Sequence, residues 1–130
     1  MTPPTAADVS DDQLTRSPLV HLIGREEWAT AQENGRWEPG SLAEVGFVHL
    51  SALEQVHLPA NVLYVGRSDL LALVIDPSRV AAPIKWEPGD PDDPASLPFP
   101  HLYGPLPVDA VIDVRTYPPG PDGAFAPLEL

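Results

Sequence analysis

Proline decides what this chain can fold into. Eighteen prolines are spread from Pro3 to Pro127, with nine glycines among them, and each proline lacks an amide donor and fixes its own backbone angle. A chain interrupted this often has no room for a bundle of long helices, so short strands joined by turns are expected. Its 130 residues amount to one domain, and a content of 43% hydrophobic residues suffices for a single core. Residues 1–17, polar and without periodicity, read as a flexible arm, and residues 18–130 read as the domain.

Charge and composition remove whole classes of function. Seven basic residues against nineteen acidic ones give a formal charge of −12, which repels nucleic acid phosphates and anionic lipids. A small-molecule ligand is the expected partner, with no DNA and no membrane. The absence of cysteine excludes disulfides, thiolate nucleophiles and cysteine-type zinc sites. The N-terminal residues lack the basic-then-apolar order of a secretory leader, and no apolar stretch approaches about 18 residues. A cytoplasmic protein is expected.

Patterning gives a coarse map. Residues 18–23 form an apolar run closed by Gly24 and predict a strand. Residues 25–34 contain neither proline nor glycine and stop at Gly35, which predicts a helix. Residues 36–41 read as a turn, with Leu42 and Val45 on a short helical turn after it, and residues 47–51 as a second strand. Ser51, with Glu54 and Gln55 near the third following position, reads as the cap of a helix that ends before Pro59. Residues 69–76 are apolar on both faces and predict the central strand. Residues 84–87 predict a short strand and 88–98 a surface loop, while 99–105 look too rich in proline for an inner strand. Residues 108–116 resume β character, and Asp122-Gly123 predicts a hairpin leading to a last strand at Ala124-Phe125. The sum is an α+β domain.

Three of the four histidines, His21, His49 and His101, fall in predicted β segments, where apolar side chains are the rule. Each alone reads equally as a core imidazole satisfied by backbone groups; three together point to a shared polar site. His57, two residues before Pro59, reads as packing or surface. Glu87 follows Trp86, whose indole would desolvate the carboxylate and raise its pKa, the alternative being a solvated acid. Ser51 lies two residues after His49, on the same face of an extended strand, so a Ser–His pair is open beside the capping role; no nucleophile-elbow glycines surround it. Trp28, Trp37 and Tyr103 are candidates for lining a cleft or for the core. Dinucleotide, Walker, zinc-protease and EF-hand motifs are all missing.

Taken in order, Val20-His21-Leu22-Ile23, Trp28-Ala29, Gly46-Phe47-Val48-His49-Leu50-Ser51 with Gln55, Asp69-Leu70-Leu71-Ala72-Leu73, Lys85-Trp86-Glu87 and Phe99-Pro100-His101-Leu102-Tyr103-Gly104-Pro105-Leu106 resemble the bacterial domain-of-unknown-function family 952 over about residues 18–116. That family is similar to a distant branch of the ADP-ribosyltransferase fold, and its His-Leu-Ser strand to that of the tRNA 2′-phosphotransferases. The resemblance implies a compact fold of two small packed sheets with two to three short helices and a cleft for NAD. It implies that His21 holds the nicotinamide-side ribose, that His49 and Ser51 form the second motif, and that Glu87 is the acidic residue stabilising positive charge at the anomeric carbon. The arginines on which the phosphotransferases rely are not reproduced: Arg25 and Arg67 alone lie near the motifs, and residues 88–94 are acidic.

The expectation is therefore a small enzyme acting on a nucleotide- or ribosyl-like molecule, with NAD as candidate cofactor. His21, His49, Glu87 and His101 are its candidate catalytic residues, and Ser51, Trp86, Tyr103 and Arg67 its candidate ligand-binding residues. One alternative is a non-catalytic small-molecule sensor using the same cleft. Another is a metal site built from His21, His49, His101 and Glu87.

Overall fold

In the computed structural model, which describes residues 17–129, the first apolar run is strand β1 (Leu19–Gly24). The expected arm lies, Ser17 aside, outside the described residues. Helix α1 (Arg25–Asn34) follows at once and ends at Gly35, whose φ of 78° is the left-handed conformation that glycine adopts without penalty. The chain continues through β2 (Arg36–Trp37), α2 (Gly40–Val45), β3 (Val48–His49), β4 (Ser51–Ala52), α3 (His57–Leu63), β5 (Leu70–Ile75), β6 (Ile84–Pro88), β7 (Pro98–Leu102), β8 (Leu106–Pro107) and β9 (Val111–Thr116). Single 3₁₀ turns at Pro77–Arg79 and Val108–Ala110 complete it. Among the described residues no helix is long and apolar enough to cross a membrane.

Two small antiparallel sheets carry the fold, one of four strands in the order β4-β1-β5-β9 and one of three in the order β3-β7-β6, with a β2-β8 ribbon beside them. β5 is central, as its apolar faces predict, and pairs with β1 from Leu19↔Ile75 to Gly24↔Leu70. Alternation along β1 sends Leu19 and Ile23 into one core with Leu71, Leu73, Val48 and Leu102, and Val20 and Leu22 into a second with Val56, Ala60, Tyr117 and Phe125. His21 lies on the same face as Leu19 and Ile23, between the two sheets.

The site is placed by a crossover. β3 pairs with β7, and two residues later β4 pairs with β1 at Leu19↔Ala52 and Val20↔Ser51 only. One segment thus passes from the three-stranded sheet to the four-stranded one at Leu50. Beyond Val20 no described strand covers that edge of β1, and the sheets part there.

Several expectations are corrected. Residues 47–51 form two short strands in different sheets. Arg36 and Trp37 are a strand, paired with Pro107 and Leu106, where a turn was expected. Ser51 sits in β4 and caps no helix; the Ala52 amide donates to Gln55 Oε1 at 2.9 Å. The helix starts later, at His57, and includes Pro59, which falls in its first turn, where a missing amide costs no intrahelical bond. β7 is the centre of its sheet despite Pro98 and Pro100. In an extended strand the N–H and C=O of a residue point to the same side, and the Pro100 carbonyl accepts from the Leu50 amide at 3.0 Å. Its missing N–H faces the same side, where β3 ends at His49 and Leu50 still donates to its carbonyl, so the ladder to β6 on the other side is untouched. No last strand forms at Ala124-Phe125. Asn61 instead clamps Phe125, donating to its carbonyl at 3.0 Å and accepting from its amide at 2.8 Å, so the C-terminal segment holds α3 against the four-stranded sheet.

Candidate functional site

Strand alternation builds the site. In the three-stranded sheet Val48, Ile84, Trp86 and Leu102 turn inward to the core, so His49, Lys85, Glu87 and His101 share the outer face, with Tyr103 just beyond the end of β7. Glu87, paired with Phe99, lies diagonally across from His101. His101 Nδ1 stands 2.9 Å from Glu87 Oε1, and the Tyr103 hydroxyl donates to the same oxygen. Phe47 stacks on the His101 ring at 3.8 Å and 11° and meets His49 edge-on at 4.9 Å. The rings of His49 and His101 are 5.8 Å apart.

Glu87 corrects an expectation. Trp86 precedes it and therefore points to the opposite face, so no indole desolvates the carboxylate. Hydrogen bonds from Tyr103 and then His101 hold its pKa below the usual carboxylate value. The Tyr103 hydroxyl moves the other way, its pKa raised mainly by the same bond. An ionised carboxylate only accepts, so His101 donates through Nδ1–H, which leaves Nε2 as the nitrogen without a partner among the described residues.

His21 is committed differently. The indole Nε1–H of Trp37 donates to His21 Nε2 at 2.9 Å, and His21 Nδ1 stands 2.7 Å from the His49 carbonyl oxygen. An indole can only donate and a carbonyl can only accept, so His21 is the neutral Nδ1–H tautomer with both nitrogens engaged. Burial lowers its pKa to about 4, against the bond to His49, which raises it. The pKa of His49 is also lowered, first by burial and then by His101.

A cleft of about 710 Å³ opens where the sheets part. His21, His49, Ser51, His101 and Arg67 line it together, so the structure joins five of the eight expected site residues along one surface. Glu87 and Tyr103 reach the cleft only through His101. Trp86 does not reach it: it lines a separate hollow of about 270 Å³ with Pro18, Leu53 and Glu54, and its buried Nε1 has no partner among the described residues. Trp28 belongs to the core, and His57 stands at the start of α3. Arg67 is paired bidentately with Asp69, at 2.9 and 2.7 Å, and stands 3.8 Å from Glu27. Among the described residues no three histidine or acidic side chains converge as metal ligands, and His21 has no free nitrogen to offer; the metal alternative is set aside on that geometry.

Three residues have roles in the site that the sequence alone does not show. Phe47 flanks two histidines, and its position two before His49 was the available signal. Gln55, buried, ties β4 to the start of β7 by accepting from Ala52 and donating to the Pro98 carbonyl at 3.2 Å. Trp37 reads from the sequence as a cleft wall or a core residue, and its bond to His21 depends on the β2-β8 ribbon.

The family described as a protein of unknown function, DUF952, matches residues 22–114. The chain is similar to protein CC0527 from Caulobacter crescentus, whose X-ray crystal structure is 30% identical, covers 85% of this chain and 94% of that one, and gives a TM-score of 0.73. The solution NMR structure of CC0527, also 30% identical, covers 82% of this chain and 90% of that one with a TM-score of 0.69. No curated relative matches.

Proposed function

The chain belongs to the DUF952 family, and from the geometry of its cleft we propose that it is a small enzyme in which His101 moves a proton to or from a bound small molecule of ribosyl-like size. The observation that carries this reading is the His101–Glu87 pair: Nδ1–H is held by an ionised carboxylate at 2.9 Å, and Nε2 has no partner among the described residues. A base so oriented takes a proton at Nε2, and the Glu87 carboxylate stabilises the imidazolium that results. Tyr103 fixes the carboxylate and Phe47 fixes the plane of the ring. Ser51 and His49 hold the ligand. His21 is a positioning residue, because its engaged nitrogens leave it no proton to exchange; it tethers β3 to β1 through the His49 carbonyl.

Two small sheets parting over a cleft, with a histidine on the first strand, support kinship with the ADP-ribosyltransferases. The residues present do not fit NAD itself. Its diphosphate calls for a free cation, and Arg67, the one arginine in the lining among the described residues, is already shared by two carboxylates.

Incubating the protein with a metabolite mixture and following consumption by mass spectrometry tests the proposal. We expect a compound that the wild type consumes, that His101→Gln consumes at least about 10²-fold more slowly while still binding, and that Glu87→Gln consumes about tenfold more slowly. A compound bound in the cleft and never consumed supports the second reading, a non-catalytic binding module, which the locked neutral state of His21 favours.

A further inference from the structure

The walls of the cleft also carry information about what fills it. Its charged lining among the described residues consists of Glu27 and Arg67. Arg67 meets both carboxylate oxygens of Asp69 and stands beside Glu27, so one guanidinium faces two carboxylates. An arriving anion finds no cation left to neutralise it, and an arriving cation has to displace a bidentate guanidinium. Of the three histidines in the cleft wall, His21 and His49 have their pKa lowered, first by burial, and His101 is already paired with Glu87 at 2.9 Å.

The rest of the lining divides in two. α3 contributes Leu58, Pro59, Val62 and Leu63, and the β6-β7 loop contributes Leu97. Val62 is 77% exposed, Leu63 65% and Leu97 50%, an unusual gathering of bare aliphatic surface in so acidic a chain. α3 has no freedom to turn this face inward, because Ala60 is fully buried on its other side and Asn61 is clamped to Phe125. The strand side of the cleft is polar. Ser51 Oγ, the ring nitrogens of His49 and His101 Nε2 make no hydrogen bond with any described residue, so donors and acceptors are ready for a ligand.

We propose that the cleft takes an uncharged small molecule with an apolar body, which lies on α3 and Leu97, and a hydrogen-bonding end, which meets Ser51, His49 and His101. The proposal rests on the reading of this cleft as a ligand site and adds the chemical class of the ligand. Charge disfavours phosphorylated molecules here, an amine has to compete with Arg67 for Asp69 and Glu27, and the aliphatic wall selects among the neutral molecules.

Three probes with one body and different charge test it: naphthylmethanol, naphthylmethyl phosphate and naphthylmethylamine, titrated into the full chain near neutral pH and followed by amide chemical shifts. About 0.15 M salt screens the general repulsion of anions by the acidic chain. We expect the alcohol to shift the amides of Ser51, Leu63 and Phe99 and to bind at least about tenfold more tightly than either charged probe. Val62→Asp, at an exposed position that spares the core, weakens the alcohol about fivefold or more. Glu27→Gln with Asp69→Asn frees Arg67 and strengthens the phosphate probe about tenfold. A charged probe that binds in the cleft as tightly as the alcohol overturns the uncharged class and leaves the ligand site standing. No change in the phosphate probe on freeing Arg67 overturns the charge argument in the same way. If none of the three shifts the cleft amides at millimolar concentration, both the class and the site are overturned.

Discussion

His21 and His101 line one cleft and are both buried, yet their partners commit them to opposite uses. His21 lies between the sheets, with Trp37 donating to one nitrogen and the His49 carbonyl accepting from the other. His101 lies on the outer face of the smaller sheet, with one nitrogen held by a carboxylate and the other without a partner. Burial is common to both, so burial does not decide which imidazole is free to react. The partner chemistry does: a ring with a donor on one side and a carbonyl on the other is a structural wedge, and a ring held by a carboxylate through one nitrogen keeps the other for the proton transfer we propose.

Substitution breaks this comparison most directly. His21→Leu leaves the Trp37 indole N–H and the His49 carbonyl without their partner and should destabilise the fold by about 4 kcal/mol in urea at neutral pH. His101→Leu frees groups that reach solvent and should cost only about 1 kcal/mol by the same measurement. Equal losses would remove the distinction.

Acid sharpens it. The folded state keeps His21 neutral down to about pH 4, while the unfolded chain protonates it near 6.5. The stabilisation is therefore complete above pH 6.5, is lost as the pH falls toward 4, and changes no further below that. The stability gap between wild type and His21→Gln should shrink by about 3 kcal/mol over that window. Denaturant curves at several pH values check this, and a constant gap would mean that His21 titrates normally. Trp37→Phe, which removes one donor and keeps the packing, should cost about 2 kcal/mol.

The smallest expected effect on stability belongs to Glu87→Gln. The Glu87 side chain is 37% exposed, and the change should stay within about 1 kcal/mol. Its consequence is chemical instead. A glutamine amide can donate to His101 Nδ1, which moves the ring proton to Nε2 and removes the acceptor from the cleft. Long-range proton–nitrogen spectra of the variant read this directly.

The parts of the fold legible in the sequence were those in which pattern and boundary agreed. β1, α1 and β5 each combine the right periodicity with a stop at Gly24, Gly35 or Pro77. Where a residue type was read without its neighbours in space, the reading failed. Pro100 argued against an inner strand because the early end of β3 was not visible, and Ser51 looked like a cap because the role of Gln55 was not. The site shows the same division. The motif order carried His21, His49, Ser51 and His101 to one cleft, because strand pairing follows the apolar pattern. The environment of Glu87 was misjudged from Trp86, a neighbour in sequence that faces the other way. The Trp37–His21 bond spans 16 residues and depends on a two-residue ribbon, and no local pattern announces it.

The division of labour between the two histidines is tested most directly by the tautomer of each ring in the folded wild type. In long-range proton–nitrogen spectra recorded near pH 6, His21 should be neutral, with its proton on Nδ1 and Nε2 bare, and His101 should carry a proton on Nδ1 toward Glu87. A doubly protonated His21 at that pH, or a proton on His21 Nε2, would contradict that division of labour.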